Sequence, residues 1–184
     1  MPETGGEAQL SGLVALVASD LRAKATWLYG DACGRNRLKA LLTDGTFAMI
    51  MYRCMQASRR IGLLPFAMLF NKLNAVCARC IIGRGAVFGP GFVLIHSYGV
   101  VINGAVRGGS NVKLEHLVTI GAEGNASPVL GDDVFVGAGA KIIGPVTIGS
   151  GARIGANAVV VADVPDGATA VGVPARVVGT EGDD

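Results

Sequence analysis

Two histidines give this chain its clearest means of acid–base chemistry. His96 and His116 are the only histidines among its 184 residues. A hydroxyl is a poor nucleophile until a base removes its proton in the transition state, and imidazole is the side chain best matched to that task near neutral pH. A histidine that lies outside the apolar core would therefore suit a general base that activates a hydroxyl.

A six-residue repeat fills the second half of the chain and must position these histidines. Thirteen of fourteen positions taken in steps of six from Ile82 are large and apolar, Gly124 being the exception. From Val134 onward the fifth place of each hexad is Val or Ala. Such order predicts a solenoid in which three hexads close one triangular coil, giving between four and five coils. The thirteen apolar residues are Ile82, Phe88, Leu94, Val100, Val106, Val112, Val118, Leu130, Val136, Ile142, Ile148, Ile154 and Val160.

The two histidines fall at different places of this repeat. His96 takes the third place of its hexad, outside the core positions, which favours it as the general base. His116 takes the fifth place, where neighbouring coils carry small or inward residues. A structural or interface role is expected for His116, which remains the reserve candidate for catalysis.

Residues 1–80 have helical periodicity and hold only seven of the 28 glycines. Gly30 and Gly34 are expected to end the first helix. We predict an α-helical region over 1–80, a β-helix domain with a C-terminal cap over 81–178 and a disordered tail over 179–184. The helices and the segment after Val164 would cover the open ends of the coil stack. The predicted helices span about 8–29, 38–42, 46–59 and 64–76.

Composition excludes several classes of partner. Charged residues make up 16% and the net charge is +2, so no basic face for nucleic acid is evident. The longest apolar stretch, 61–70, is too short to span a bilayer. The polar, acidic N-terminus lacks a signal-peptide pattern, so a cytoplasmic protein is expected. Cys77 and Cys80 form a lone C-x-x-C, which predicts buried thiols and no metal site.

Five segments of the repeat region carry a family pattern: His96–Asn103, Val118–Gly121, Val136–Pro145, Ile154–Val160 and Gly172–Arg176. They resemble the hexapeptide-repeat acyltransferases, and within them the serine acetyltransferase-like branch. The resemblance implies a mainly β fold, a left-handed parallel β-helix preceded by a small helical region. It also implies a homotrimer, possibly a dimer of trimers, with active sites between neighbouring prisms. The implied activity is direct transfer of acetyl from acetyl-CoA to a hydroxyl.

The same resemblance implies residues that hold coenzyme A. Ala138 and Ala156 would contact its pantetheine arm through backbone atoms, and Gly121 would lie near the thioester. Three cations are candidate phosphate partners, although each could equally be an ordinary solvated side chain. These cations are Lys141, Arg153 and Arg176.

The chain also departs from the serine acetyltransferase pattern. Ser127 and Ala126 replace a histidine and the basic residue before it, while Ile95 and Ile81 replace two acids. Since groups that would hold zwitterionic serine and orient the base are missing together, we expect a neutral small-molecule hydroxyl acceptor, such as a sugar or a metabolite alcohol.

Several alternatives stay open at this point. They are a divergent serine acetyltransferase of cysteine biosynthesis, an amino-sugar N-acetyltransferase, a γ-type carbonic anhydrase and a non-catalytic scaffold. Glu115 or Asn103 could orient His96.

Overall fold

Four helices form the N-terminal region of the computed structural model, which describes residues 4–180 and the side chains of residues 12–178. Gly30, with φ at 83°, follows the first helix, as expected. Gly34 begins the second helix instead of ending the first, because it does not adopt the left-handed conformation of a C-terminal glycine. The helices are α1 (Thr4–Tyr29), α2 (Gly34–Leu41), α3 (Thr46–Arg60) and α4 (Leu64–Cys77).

Short strands follow the helices and wind into a left-handed parallel β-helix of about four turns. Each of the first ten strands pairs in parallel with the strand three places further along the chain. Three sheets therefore form the faces of a triangular prism. Sheet A has the order β1-β4-β7-β10-β13, sheet B β11-β8-β5-β2 and sheet C β15-β14-β12-β9-β6-β3, with β15 antiparallel to β14. The strands are β1 (Ile81–Ile82), β2 (Val87–Phe88), β3 (Val93–Leu94), β4 (Val101–Ile102), β5 (Arg107–Gly108), β6 (Lys113–Leu114), β7 (Thr119–Gly121), β8 (Val129–Leu130), β9 (Phe135–Val136), β10 (Lys141–Ile143), β11 (Thr147–Ile148), β12 (Arg153–Ile154), β13 (Val159–Val160), β14 (Ala168–Gly172) and β15 (Ala175–Thr180).

The prism interior is apolar, and all thirteen large residues of the sequence repeat are buried in it. The phase of the repeat nevertheless shifts by two residues after Leu94. Ile82 pairs with Ile102, two residues beyond an 18-residue coil, so Val100 occupies the fifth place of its hexad and Ile102 the first place of the next one. The turn that holds His96 contains the two extra residues. Both places face inward, which is why the error in phase left the core prediction intact.

A buried ion pair fixes the helical region to the first coil. The Arg53 side chain of α3 contacts the Asp20 carboxylate of α1 at 2.6 Å and donates to the carbonyl oxygens of Phe88 and Gly89. Asp20 also accepts the Phe92 N–H at 2.9 Å. Burial raises the pKa of Asp20, although its hydrogen bond and charge contact with Arg53 oppose that rise. The network therefore joins α1, α3 and the prism. Its buried charges and backbone groups would be costly to leave without hydrogen-bond partners.

The two cysteines of the C-x-x-C differ in burial. Cys80 is buried, and burial raises the pKa of its thiol to about 12. Cys77 is exposed at the end of α4, so the prediction that both thiols are buried is wrong for Cys77. Helix α4 ends at Cys77, before the chain enters the prism at β1. Cys80 directly precedes β1, and it alone of the two is buried.

No helix within residues 4–180 is long and apolar enough to cross a membrane. Residues 181–184, most of the predicted tail, lie outside the described part of the chain, while residues 179 and 180 belong to β15.

Candidate active site

The strand register brings both histidines to one corner of the prism. Leu94 pairs with Leu114, and His96 and His116 each lie two residues further along. Their ring centroids are 6.0 Å apart with an interplanar angle of 75°. The predicted fifth-place position of His116 is wrong, because the two-residue shift after Leu94 moves it to the same outer place as His96. About half of each histidine side chain is exposed, as a group that handles a substrate proton requires.

The same corner continues along the prism through two alanines. The pairing of β6 with β9 and of β9 with β12 sets Ala138 beside His116 and Ala156 beside Ala138. The backbone repeats these contacts, since Gly139 N–H donates to His116 O and Asn157 N–H donates to Ala138 O. Three coil steps of about 4.8 Å put Ala156 roughly 14 Å from His96. The corner therefore forms a straight track that ends at the histidine pair, suited to an extended ligand whose reacting end lies at His96.

Two carboxylates stand beside the histidines. Asp44 Oδ2 lies 3.4 Å from His96 Nδ1, and Glu115 Oε2 lies 3.6 Å from His116 Nδ1. Sequence reasoning considered Glu115 as a partner of His96, whereas the ion-pair distance places it beside His116. Asp44 was missed altogether, since it lies in the turn between α2 and α3, far from His96 in sequence. In the sequence that turn is marked only by the gap between the predicted helices 38–42 and 46–59.

Asn103, the other residue considered for orienting His96, is occupied elsewhere. Its Oδ1 accepts the Ala105 N–H at 2.8 Å and the Ser127 hydroxyl at 3.3 Å. It follows β4 and so lies at the opposite edge of sheet A from the histidine corner. Within one chain Asn103 therefore belongs to the loop around Ser127.

The residues expected at coenzyme A are spread over two edges of the prism. Lys141 Nζ donates to the carbonyl oxygens of Leu117 and Gly139, both at 2.9 Å, so it is tied to the histidine side of sheet A. Arg153, on β12, lies 5.0 Å over the Phe135 ring. Two further residues stand apart from both: Arg176 is exposed on β15, and Gly121 ends β7 opposite Ile143, away from the histidine corner of the same chain.

The positions that depart from the serine acetyltransferase pattern are apolar or neutral. Ile95 is buried beneath the helical region, and Ile81 is half exposed at the start of β1. Ala126 and Ser127 belong to the loop after β7, where Ala126 and Glu123 exchange backbone hydrogen bonds. Among the described residues, no group of three or more histidines, cysteines or acids could hold a metal ion.

A left-handed parallel β-helix with a histidine pair on an outer corner is the architecture of a hexapeptide-repeat acyltransferase. The family described as "Bacterial transferase hexapeptide (six repeats)" matches residues 127–162. The chain is 37% identical to a serine acetyltransferase of Helicobacter pylori strain J99 over 82% of this chain and 91% of that one. It is 35% identical to a Bacillus subtilis serine acetyltransferase, over 80% and 70% of the two chains.

Solved structures agree with the sequence relatives. The crystal structure of a serine acetyltransferase in complex with coenzyme A from Brucella abortus strain S19 superposes with a TM-score of 0.83, at 28% identity over 95% of this chain and 72% of that one. This chain belongs to the serine acetyltransferase family. It is an acetyl-CoA-dependent O-acyltransferase.

Proposed function

We propose that the chain acetylates the hydroxyl of L-serine, using acetyl-CoA as donor and His96 as general base. The observation that carries this proposal is the pair of carboxylates, Asp44 and Glu115, beside the two histidines. Serine presents an ammonium next to its hydroxyl, and a carboxylate at the base can hold that ammonium. The names of the relatives support the same acceptor.

The reaction needs one base and no covalent enzyme intermediate. His96 Nε2 takes the proton of the serine hydroxyl while the hydroxyl oxygen attacks the thioester carbonyl carbon. The C–S bond then breaks, the acetyl group remains on the serine oxygen, and the coenzyme A thiolate takes the proton from the imidazolium. The charge that develops on the carbonyl oxygen requires a hydrogen-bond donor.

The donor fits the track along the histidine corner. An extended pantetheine arm can hydrogen-bond to exposed coil edges in the manner of an added strand, passing Ala156 and Ala138 toward His96. Arg153 and Arg176 lie toward the far end, where the phosphates of coenzyme A would lie. Lys141 and Gly121 would act at the coil edges nearer the thioester, Gly121 from a neighbouring subunit of a trimer.

The expectation of an uncharged acceptor rested on missing charges, and the structure supplies two of them from other positions. Glu115, only partly exposed beside His116, is the group we assign to the acceptor ammonium. A neutral sugar or alcohol remains the second candidate. The observation favouring it is that uncharged residues replace the charged groups of the serine acetyltransferase pattern at four positions. These residues are Ile81, Ile95, Ala126 and Ser127.

Thiol release from acetyl-CoA separates the two acceptors. L-serine should give a kcat/KM above about 10⁴ M⁻¹s⁻¹, the ordinary enzyme range, and neutral sugars and alcohols far less. Glu115→Gln should lower kcat/KM for L-serine about 10- to 100-fold, because a charge-assisted hydrogen bond contributes about 1.5 to 3 kcal/mol. Its activity toward a neutral alcohol should not change. A neutral acceptor used better than serine, with no effect of Glu115→Gln, would exclude serine.

A further inference from the structure

We infer that Asp44, a residue of the helical N-terminal region, is the positioning residue that holds the His96 imidazole in its working tautomer. The inference rests on the proposed function in taking His96 as the base. In the serine acetyltransferase pattern the coils carry two acids, which Ile81 and Ile95 replace here. We assign the orienting role instead to the turn between α2 and α3. Its starting point is the 3.4 Å contact between Asp44 Oδ2 and His96 Nδ1.

The turn that carries Asp44 is closely fitted against the prism. Gly45 is buried with φ at 78°, and a Cβ at this position would run into the carbonyl oxygen of Leu94, two residues before His96. The hydroxyls of Thr43 and Thr46 both donate to Ala40 O, at 2.7 and 2.6 Å. Glycine is the residue type that permits so close an approach. The backbone on either side of Asp44 is therefore fixed relative to β3, which ends two residues before His96.

Lys24 joins the same two pieces of backbone. Its Nζ, on a fully buried side chain of α1, donates to Leu94 O at 2.9 Å and also to Asp44 O. Burial lowers the pKa of Lys24 to about 8, while the Asp44 charge opposes the shift. A buried cation is retained at a cost, and here it ties the turn that carries Asp44 to the end of β3, two residues before His96. Such a clamp is expected where the distance between two side chains matters.

The chemical consequence concerns the two nitrogens of His96. When Nδ1–H donates to Asp44, Nε2 is left unprotonated and available as the base. The carboxylate also stabilises the imidazolium that forms during the reaction. His116 lies beside His96, and Lys24, whose charge acts on Asp44, donates to backbone carbonyls. Glu115 contacts His116 and not His96. Asp44 is thus the nearest carboxylate to His96 in the described chain.

The first test reads the tautomer directly and needs no substrate. Long-range ¹H–¹⁵N NMR on the full chain, with His96→Ala to assign the signals of the two histidines, reports which nitrogen of neutral His96 carries the proton. We expect the Nδ1–H form in the wild type and the Nε2–H form in Asp44→Ala. Asp31→Ala is the matched control, since Asp31 is also an exposed acid of the helical region but caps Cys33 N–H. It should leave the tautomer unchanged.

The second test reads catalysis. Asp44→Asn keeps the size and the acceptor oxygen but removes the charge, and it should lower kcat about 10- to 100-fold with KM for acetyl-CoA unchanged. Asp31→Asn should stay within about twofold of the wild type. An Nε2–H tautomer in the wild type, or no tautomer change in Asp44→Ala, overturns the inference. So does an Asp44→Asn variant as active as Asp31→Asn. If no acceptor supports thiol release, the proposed function fails, while the tautomer still decides the role of Asp44.

Discussion

At the residue scale, His96 and His116 share a place in the coil but not a set of neighbours. The carboxylate beside His96 comes from a clamped turn of the helical region, whereas the one beside His116 is its own neighbour in sequence, Glu115. A base needs a fixed orientation toward the proton it removes. The difference in support favours our proposal that His96 transfers the proton, and we expect His116 to contact the acceptor or the neighbouring coil.

His96→Ala should accordingly lower kcat by about 10² to 10⁴ with little change in coenzyme A binding, as expected for loss of a general base. His116→Ala is the matched control on the same corner and should cost less than about tenfold. Steady-state kinetics for both variants, with coenzyme A affinity measured separately by calorimetry, check this assignment. The reverse order of losses would make His116 the base.

At the scale of elements, the Asp20–Arg53 pair is the principal polar link between the helices and the prism. Both residues are buried, and the guanidinium also satisfies two carbonyl oxygens of the first coil. The pair therefore sets how α1 and α3 lie on the first coil. The proposed position of Asp44 depends on this arrangement, because α1 carries Lys24 and α3 follows the Asp44 turn.

Arg53→Met should lower the free energy of unfolding by about 3–5 kcal/mol, because it leaves the Asp20 carboxylate buried without its counter-charge. The double variant Asp20→Leu, Arg53→Met should be more stable than that single variant, since no buried charge is then left unpaired. Urea denaturation followed by circular dichroism measures both. If the double variant is the less stable of the two, the cost lies in lost packing and not in the isolated charge.

At the scale of the whole molecule, one helix exposes more apolar surface than a monomer ordinarily tolerates. Six large side chains of α4 are between 36% and 72% exposed. Large exposed apolar surfaces are rare on monomers and typical of interfaces. These side chains are Leu64, Phe66, Met68, Leu69, Leu73 and Val76.

We therefore expect a homotrimer, or a dimer of trimers, in which α4 is covered by a second copy. Sedimentation at micromolar concentration should give three or six times the 18.7 kDa chain mass. Leu69→Glu should lower that mass, because it introduces a charge into the covered face. Arg35→Glu, a charge reversal at an exposed residue of α2, is the control and should leave the mass unchanged. A wild-type monomer would contradict the expectation.

The sequence by itself determined the architecture and the family. A short period of apolar residues can close only into stacked coils, and helical spacing before Ile82 separates the cap from the prism. The apolar period and the helical spacing are local, repeated features, so one sequence is enough to recognise them. The motif around His96 identified the family, which the relatives and solved structures confirm.

Only the tertiary structure decided the phase of the repeat and the surroundings of the base. The turn at His96 adds two residues to its coil and the loop after β7 adds four to a later one, as the pairings of Ile82 with Ile102 and of Thr119 with Lys141 show. The two insertions add up to six residues, the length of one hexad. Stepping through the sequence by six therefore reaches the core positions again after the second insertion, and the step pattern reveals neither insertion. Asp44 was hidden for a related reason: its contact with His96 joins segments far apart in the chain, and no local pattern encodes that distance.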